Sequence, residues 1–474
     1  MHVDRLALLL ALTVTAAAQD ARWSRFRGPN GTGVVDTPGL PVRFDKETNV
    51  RWRTPLPPGR SSPVLSETRV FLTAYEGDVL YTIALARVDG RELWRKRAPR
   101  DRTTQLDARN DHASPTPALN ADTVVVFFQD YGLVAYDHDG AERWRRPLAA
   151  FDNIYGMGAS PLIVDGRVVL PCDQQTGSYL LCVDVASGEP LWRAERPSAK
   201  SGHCTPVVHR PEGGGAQLVL PGSFYLDGYD LASGARAWWV SGLSFEMKSV
   251  PVLHDGVVYI NGYGSPMNQP GNQVEVPDFE AVRRERDADK DGLIGEQEMP
   301  PSRAANWFAF VDLDGSGALD EAEWTYLRDA LASQNGMLAI RAGGAGGMTQ
   351  KSVAWTYRKS VPQLPSPLLY RDVLWMLNDS GGLVTTFRPQ TGEVLAKGRL
   401  ADAVDTYYAA PVAGDGKVYL TSEHGLVVVL PPEGGLAPLC INDLGEDVYA
   451  TPAIAGGCLY LRTTLALYCF AEAR

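Results

Sequence analysis

The sequence predicts a mainly β fold: an eight-bladed β-propeller with a small helical insertion in its fifth blade. Two observations predict it. A repeat of about 45 residues runs through most of the 474-residue chain, and one copy of this repeat is much longer than the others. Each repeat combines four short apolar strand patterns with turn residues, which is the pattern of one propeller blade.

Each repeat opens with a small residue, a proline and an apolar strand. Successive prolines, such as Pro117, Pro161 and Pro206, lie 44 and 45 residues apart. Four repeats then share a Gly-x-x-x-Trp pattern, whose tryptophans we interpret as apolar wedges packed between blades. The eight openings are Ser62-Pro63, Thr116-Pro117, Ser160-Pro161, Thr205-Pro206, Val250-Pro251, Ser366-Pro367, Ala410-Pro411 and Thr451-Pro452.

The last repeat lacks its Gly-x-x-x-Trp strand, and an orphan strand of that type lies near the N-terminus, at 49–53 with Trp52. We predict that this strand is the outermost strand of the last blade, which leaves no free sheet edge. The predicted divisions are therefore 19–263 for blades one to five, 264–350 for the insertion with a glycine-rich linker, and 351–474 for the remaining strands.

Residues 1–18 have the pattern of a signal peptide. Arg5 is followed by the apolar run 6–12 and by alanines at 16–18 that suit a cleavage site. Neither this run nor any later stretch is long enough to span a bilayer, so we expect an exported protein, periplasmic or extracellular, without a transmembrane segment. The alternative is a buried N-terminal strand or helix.

The composition limits the classes of partner. The net charge of −11 argues against nucleic acid, because phosphate binding needs a concentrated basic surface. Among the six cysteines, Cys172 with Cys182 and Cys458 with Cys469 flank predicted hairpin turns and are plausible disulfide pairs. Small buried residues are an equally good account of them.

The long repeat, from Pro251 to Pro367, contains two acidic patterns of twelve residues, the first loop (287–298) and the second loop (312–323). Each has oxygen-bearing side chains at positions 1, 3 and 5, glycine at position 6 and glutamate at position 12. This spacing is that of an EF-hand, in which alternate side chains and one backbone carbonyl surround Ca²⁺. The sequence therefore predicts an EF-hand pair with two calcium sites.

The alternative is a pair of solvated acidic turns, which two complete patterns in tandem disfavour. Asp278 and Ser302 are predicted to cap flanking helices, and Ile294 is predicted to pair with Leu319 between the loops. The run 343–347 is interpreted as a flexible return linker. The predicted calcium ligands are Asp287, Asp289, Asp291, the Leu293 carbonyl and Glu298 in the first loop, and Asp312, Asp314, Ser316, the Ala318 carbonyl, Asp320 and Glu323 in the second.

The segments before the opening prolines are polar and aromatic, and in a propeller they gather around the central channel on one face. Asp, His, Lys and Tyr side chains that meet in such a funnel are suited to binding a small polar ligand or to acid–base chemistry. The alternative is that they satisfy loop backbones and line a wet channel. The candidate ligand-binding residues are Asp111, His112, His203, Lys248 and Tyr407.

The repeat resembles the PQQ-type, or quinoprotein-like, propeller repeat. The stretch 23–34, WSRFRGPNGTGV, together with Trp52 and its neighbours, resembles the N-terminal signature of exported bacterial proteins of that group. The resemblance covers nearly all of the chain except the insertion and implies the propeller fold, but fold does not fix function.

Two functions follow from the resemblance. One branch contains quinone-dependent alcohol dehydrogenases, which carry an adjacent Cys-Cys pair beside the cofactor PQQ, and this sequence has no such pair. Another branch contains a scaffold lipoprotein of the outer-membrane barrel assembly machinery, although this chain has no lipobox cysteine. We therefore expect a scaffold or a module that binds a protein or a small polar ligand, with a quinone-dependent or other periplasmic oxidoreductase as the alternative.

Overall fold

The computed structural model describes residues 23–264 and 268–472. Within them, eight antiparallel sheets of four blade strands each form the blades of a β-propeller. The predicted signal peptide, residues 1–18, lies outside the described residues. The innermost strands of neighbouring blades contact one another around a central channel. The fold is thus mainly β and eight-bladed, as the repeat predicts.

In blades one to four the chain runs from the innermost to the outermost strand. The first described strand, β1 (Val50–Pro55), belongs to blade eight instead. The strands of blades one to four are β2 (Val64–Leu65), β3 (Arg69–Glu76), β4 (Val79–Ala86), β5 (Glu92–Ala98); β6 (Ala118–Leu119), β7 (Thr123–Phe128), β8 (Gly132–Asp137), β9 (Glu142–Pro147); β10 (Leu162–Val164), β11 (Arg167–Cys172), β12 (Tyr179–Asp184), β13 (Pro190–Glu195); and β14 (Val207–His209), β15 (Gln217–Pro221), β16 (Tyr225–Asp230), β17 (Arg236–Ser241).

Blades five to eight follow the same order, except that blade five is interrupted. Their strands, with the three short strands outside the blades, are β18 (Val252–His254), β19 (Val257–Gly262), β20 (Ile294–Gly295), β21 (Ala318–Leu319), β22 (Gly336–Arg341), β23 (Gly346–Gly347), β24 (Val353–Tyr357); β25 (Leu368–Tyr370), β26 (Val373–Leu377), β27 (Leu383–Phe387), β28 (Val394–Arg399); β29 (Val412–Gly414), β30 (Lys417–Thr421), β31 (Leu426–Leu430), β32 (Cys440–Asp443); and β33 (Ala453–Ala455), β34 (Cys458–Arg462), β35 (Ala466–Phe470).

The ring is closed by the N-terminal strand. β1 pairs antiparallel with β35, and Trp52 lies opposite Cys469. Sheet order in this last blade is β33, β34, β35, β1, so the outermost strand comes from the other end of the chain. The closure predicted from the orphan strand is confirmed.

A tryptophan of one blade packs on a glycine of the next. The Trp94 indole N–H donates to the His138 carbonyl at 2.9 Å, and a Cβ at Gly140 would lie 2.9 Å from the Trp94 ring. Gly140 also has φ +88°, which disfavours other residues. This contact explains why glycine and tryptophan recur together. The same hydrogen bond, from an indole N–H to a backbone carbonyl of the next blade, joins Trp52 to Arg87, Trp144 to Val185, Trp192 to Leu231 and Trp355 to Pro389.

Blade four departs from this pattern. Trp238 is fully buried within its own blade, where its indole N–H donates to Gln217 Oε1 at 2.9 Å. The glycine-rich run 343–347 lies beside it, and β23 pairs in parallel with Trp238 and Trp239. The run, interpreted as a flexible linker, therefore contributes a short strand at the outer edge of blade four.

The insertion leaves blade five after β19, and the blade resumes at β22, inside the range 264–350 assigned from the sequence. Its apolar side chains form a cluster that also includes Phe224 and Tyr225 of blade four. The helices are α1 (Phe279–Arg286), α2 (Phe308–Val311), α3 (Glu321–Ala332) and, between β23 and β24, α4 (Thr349–Ser352), with 3₁₀ turns at Pro29–Gly31, Glu296–Glu298 and Arg303–Trp307.

Residues 23–35, here called the N-terminal plug, cross the channel at the far ends of the innermost strands. Trp23 forms a β-bridge with Leu65 of blade one. The Asn30 side chain makes two hydrogen bonds to the Val208 backbone in blade four, at 2.8 and 3.0 Å. Val35 N donates to the carbonyl of Ala413 in blade seven at 3.1 Å. The plug therefore links distant blades and blocks one end of the channel.

All six cysteines are free thiols in the described residues. Cys172 and Cys182 belong to different apolar clusters on opposite faces of blade three. That pairing, plausible from the sequence, is wrong because the two side chains point to opposite sides of the sheet. Cys458 and Cys469 lie on adjacent strands β34 and β35.

We expect Trp52→Ala to lower the free energy of unfolding by about 3–5 kcal/mol, because it removes a buried ring at the closure of the propeller. Denaturant unfolding of the full chain measures this change. Leu191→Ala, at a position 49% exposed on β13, is the control and should cost within about 0.5 kcal/mol. Equal costs for the two variants would contradict the role of Trp52 in closure.

Candidate functional site: a cationic funnel and two acidic loops

A cavity of about 260 Å³ opens at the end of the channel opposite the plug. Its floor includes Phe26 of the plug, and its throat includes Ser62, Thr116 and Ser160, which precede innermost strands. This cavity, here called the funnel, has walls of charged and aromatic side chains. The wall residues with charged or aromatic side chains are Arg60, Asp107, Arg109, Tyr155, His203, Lys248, Tyr408 and Tyr449.

Hydroxyl groups hold the throat together. The Ser62 backbone N–H donates to Thr116 Oγ1 at 3.0 Å, the Thr116 N–H to Ser160 Oγ at 2.9 Å, and the Ser160 N–H to Thr205 Oγ1 at 3.0 Å. The same contact joins Ala410 to Thr451. The repeated Ser or Thr before proline is therefore explained by hydrogen bonds between neighbouring blades.

Three cations and three tyrosines dominate the walls. Arg109 binds Asp107 through two hydrogen bonds, at 2.7 and 3.0 Å, and holds the pKa of that carboxyl down at about 2. Arg60 lies 4.0 Å from the centre of the Tyr449 ring. Lys248 Nζ lies 2.6 Å from Glu246 Oε2, and this ion pair lowers the cost of burying the two charges. The funnel thus joins positive charge to flat aromatic surfaces.

Two polar atoms in the walls are buried and have no hydrogen-bond partner among the described residues: His203 Nε2 and Arg60 Nη1. Burial, with a further contribution from Lys248, lowers the pKa of His203 to about 3. The imidazole is therefore neutral at pH 7.

The structure brings together two of the five predicted ligand-binding residues, His203 and Lys248. Asp111 lies behind Arg60, at 3.9 Å, and accepts hydrogen bonds from its own turn. His112 faces Asp130 instead, with Nδ1 2.9 Å from Oδ2. The fully buried Tyr407 donates to the Ala403 carbonyl at 2.7 Å, and Tyr408 occupies the wall in its place.

Several residues of the funnel wall share one position in the repeat. Three residues before each opening proline, one residue of every blade lines the funnel. Lys248 and His203 occupy this position, and so do Arg60 and Tyr449, which are not among the five predicted ligand-binding residues. Counting back from the proline identifies one wall residue per blade, in chain order Arg60, Ser114, Gly158, His203, Lys248, Leu364, Tyr408 and Tyr449. It does not identify Asp107, Arg109 or Tyr155, which lie further from their prolines.

The two acidic loops lie in the insertion, beside blade four. Carboxylate oxygens of Asp287, Asp289 and Asp291 lie within 4.8 Å of one another in the first loop. The Asp287 Oδ1 atom is buried without a hydrogen-bond partner. The carboxylates at the alternate positions 1, 3 and 5 of the loop therefore lie around one point, as their spacing predicts.

The second loop has the same arrangement, with oxygens of Asp312, Asp314 and Glu323 within 4.8 Å of one another. Glu323 is buried, and its Oε1 accepts a hydrogen bond from Leu313 N at 2.7 Å. Ile294 pairs with Leu319 between the loops, as predicted. The predicted caps are also confirmed: Asp278 accepts from Ala281 N and Ser302 from Ala304 N.

These features define the protein as an eight-bladed β-propeller. Residues 28–238 match the family described as outer membrane protein assembly factor BamB. The curated proteins give no match. Among the helices that the structure describes, none has the length and apolar character needed to cross a membrane.

Solved structures with the same fold include BamB and two dehydrogenases. BamB from Moraxella catarrhalis has a TM-score of 0.52 at 12% identity, over 89% of this chain and 99% of that one. A europium-containing methanol dehydrogenase has a TM-score of 0.56 at 9% identity, over 98% and 100%. Quinohemoprotein alcohol dehydrogenase from Comamonas testosteroni has a TM-score of 0.50 at 12% identity, over 98% and 83%. These likenesses establish the fold alone.

The segment that carries Tyr408 is anchored at the funnel rim by Asp405, whose Oδ1 lies 2.6 Å from His424 Nδ1. This hydrogen bond and the attraction of the carboxylate raise the pKa of His424. We expect Asp405→Asn to lower the pKa of His424 towards its usual value, as measured by NMR titration of the imidazole. Asp402→Asn, at an exposed position nearby, is the control, and an unchanged His424 pKa in Asp405→Asn would contradict the contact.

Proposed function

We propose that the protein is an exported, calcium-binding β-propeller that acts as a binding module, and that its funnel takes a small ligand bearing carboxylate or phosphate oxygens. The funnel proposal rests on three cationic side chains, Arg60, Arg109 and Lys248, which lie in the wall of one cavity. Oxyanions form strong charge-assisted hydrogen bonds with such groups. No step of the proposal requires catalysis.

Buried cations below the funnel support this ligand class. Arg25, Arg27 and Arg462 are almost completely buried, and none of them makes an ion pair with a described residue. Burial lowers their pKa values to about 10, 9 and 10, so they remain charged at pH 7. They donate to backbone carbonyls instead, as Arg27 does to Pro367 at 2.6 Å. In a protein of net charge −11, these three guanidinium groups place positive charge beneath the cavity, without an ion-pair partner in the described part of the chain, which favours an anionic ligand.

Aromatic walls support a planar ligand body. Tyr408 and Tyr449 stack with ring centres 5.9 Å apart, and Arg109 lies 5.3 Å from the centre of the Tyr155 ring. Phe26 covers the floor, so a ligand enters from one side only. A volume of about 260 Å³ suits a small molecule.

Calcium is proposed for the two loops because their oxygen donors meet the requirements of this hard cation. The buried, unpartnered Asp287 Oδ1 is an acceptor that a cation would satisfy. Glu298 and Glu323 hold the ends of their loops through hydrogen bonds to Ala288 N and Leu313 N, both at 2.7 Å. At the millimolar calcium of an extracellular compartment, such sites would be filled and would order the insertion.

A second candidate is a quinone-dependent oxidoreductase, favoured by the fold shared with the two dehydrogenases. The described funnel residues do not fit the cofactor with its metal. The Asp107 carboxylate is bound by Arg109, and the Glu246 carboxylate by Lys248. Cys204 is buried, with its thiol directed to the Ser249 carbonyl at 3.2 Å. We therefore derive no step through a quinone.

Calorimetry of the full chain should give two calcium ions per chain, and Glu323→Gln should reduce this number to one, because position 12 supplies two oxygens. Glu321→Gln is the matched control, since Glu321 is exposed and is not a predicted ligand. A full chain that binds no calcium at millimolar concentration would refute the calcium proposal.

For the funnel, the probe is benzene-1,3,5-tricarboxylate, with 1,3,5-tris(hydroxymethyl)benzene as its neutral counterpart. We expect the tricarboxylate alone to bind, and Arg60→Gln to weaken it by roughly 10-fold or more, because one charge-assisted hydrogen bond is lost. Lys351→Gln, at an exposed position outside the funnel, should leave the affinity unchanged. Equal binding of the two probes would contradict an anion site.

The oxidoreductase alternative is tested by an absorbance titration with PQQ followed by dye-linked alcohol oxidation in calcium. We expect any PQQ that binds to do so only as an anion, through its carboxylates. We expect no alcohol-dependent reduction of the dye. Turnover that is lost in Lys248→Gln would favour the enzyme over the binding module.

A further inference from the structure

The insertion contacts the two backbone segments that carry funnel residues. Segment 198–203 ends at His203, and segment 243–248 ends at Lys248, both in the funnel wall. The His203 backbone N–H donates to the Met247 carbonyl at 3.1 Å, so the two segments are joined. Movement of either one therefore displaces wall residues of the funnel.

Phe310 of α2 contacts both segments. Its ring centre lies 5.4 Å from that of Phe245 and 4.7 Å from Lys200 Nζ. Phe310 also stacks on Tyr326 of α3, at 6.2 Å and 14°. The Tyr326 hydroxyl donates to the Ser198 carbonyl at 3.0 Å. One aromatic pair thus supports both funnel segments from the insertion side.

This pair straddles the second loop. Phe310 lies two residues before Asp312, the first predicted ligand, and Tyr326 lies three residues after Glu323, the last. The stem of the insertion adds a contact, since a Cβ at Gly264 would lie 2.6 Å from the backbone nitrogens of Phe245 and Glu246. A cation that fixes the two ends of the loop fixes the relative position of α2 and α3.

We propose that calcium in the second loop controls the funnel, by holding the Phe310–Tyr326 pair and through it the segments that carry His203 and Lys248. This coupling rests on the proposed calcium and anion sites and adds a link between them. It acts in both directions, so a ligand in the funnel tightens calcium binding by the factor by which calcium tightens the ligand.

The test is hydrogen–deuterium exchange of the full chain in calcium and in EGTA, together with the dissociation constant of benzene-1,3,5-tricarboxylate in both buffers. We expect exchange in peptides covering 198–203 and 243–248 to slow by about threefold or more in calcium. We expect the probe to bind about 10-fold more tightly in calcium, a typical coupling factor. Peptides of β33 and β34, in blade eight, should not respond.

Phe310→Leu is the decisive variant, because it keeps an apolar side chain but removes the ring contacts. Calorimetry should still show two calcium ions, while the exchange and affinity responses should both fall to less than half of their wild-type size. Phe279→Leu, which alters a ring of the same cluster packed on Trp324 at 6.4 Å, is the control and should keep both responses.

The outcomes are distinguishable. Calcium and probe binding without any change in exchange or affinity would overturn the coupling and leave the proposed function standing. Failure of calcium to bind would overturn both. A full response in Phe310→Leu would show that the path through the aromatic pair is wrong.

Discussion

A ring of sheets is stable only when its last edge finds a partner, and here the N-terminal chain supplies it. β1 completes blade eight, and Trp52 makes with blade one the same indole-to-carbonyl contact that other blades make with their neighbours. The N-terminal plug joins the innermost strands of distant blades across the channel. One stretch of chain therefore determines both the closed ring and the closed floor of the funnel.

The closed floor has a chemical consequence. Buried arginines of the plug cannot reach water, so they donate to carbonyls of the innermost strands, and their charge remains uncompensated below the cavity. A cleft with low-dielectric walls concentrates such a field at its mouth. Under the proposed function, this field attracts an anion to the point where one residue from each blade lines the cavity.

The fold could be predicted from the sequence because each blade repeats its own glycine, proline and tryptophan contacts. The position of Trp52 follows from the sequence, because the last repeat lacks the strand that closes the ring. The funnel is less predictable, because Tyr407 and Tyr408 are equally polar and only the structure shows that the Tyr407 hydroxyl is bound within its own loop. Polarity alone cannot distinguish a side chain that satisfies its own turn from one that faces a cavity. The pairing of β23 with Trp239 depends on neighbouring blades and has no local signal.

Crystals of the full chain grown in calcium bromide would test the account most directly, through anomalous difference maps that locate both ions. We predict a bromide peak among Arg60, Arg109 and Lys248, above a floor formed by residues 23–35, and a calcium peak in each acidic loop. A funnel without bromide, or a channel open at both ends, would contradict the central claim that the N-terminal chain builds a one-ended anion site.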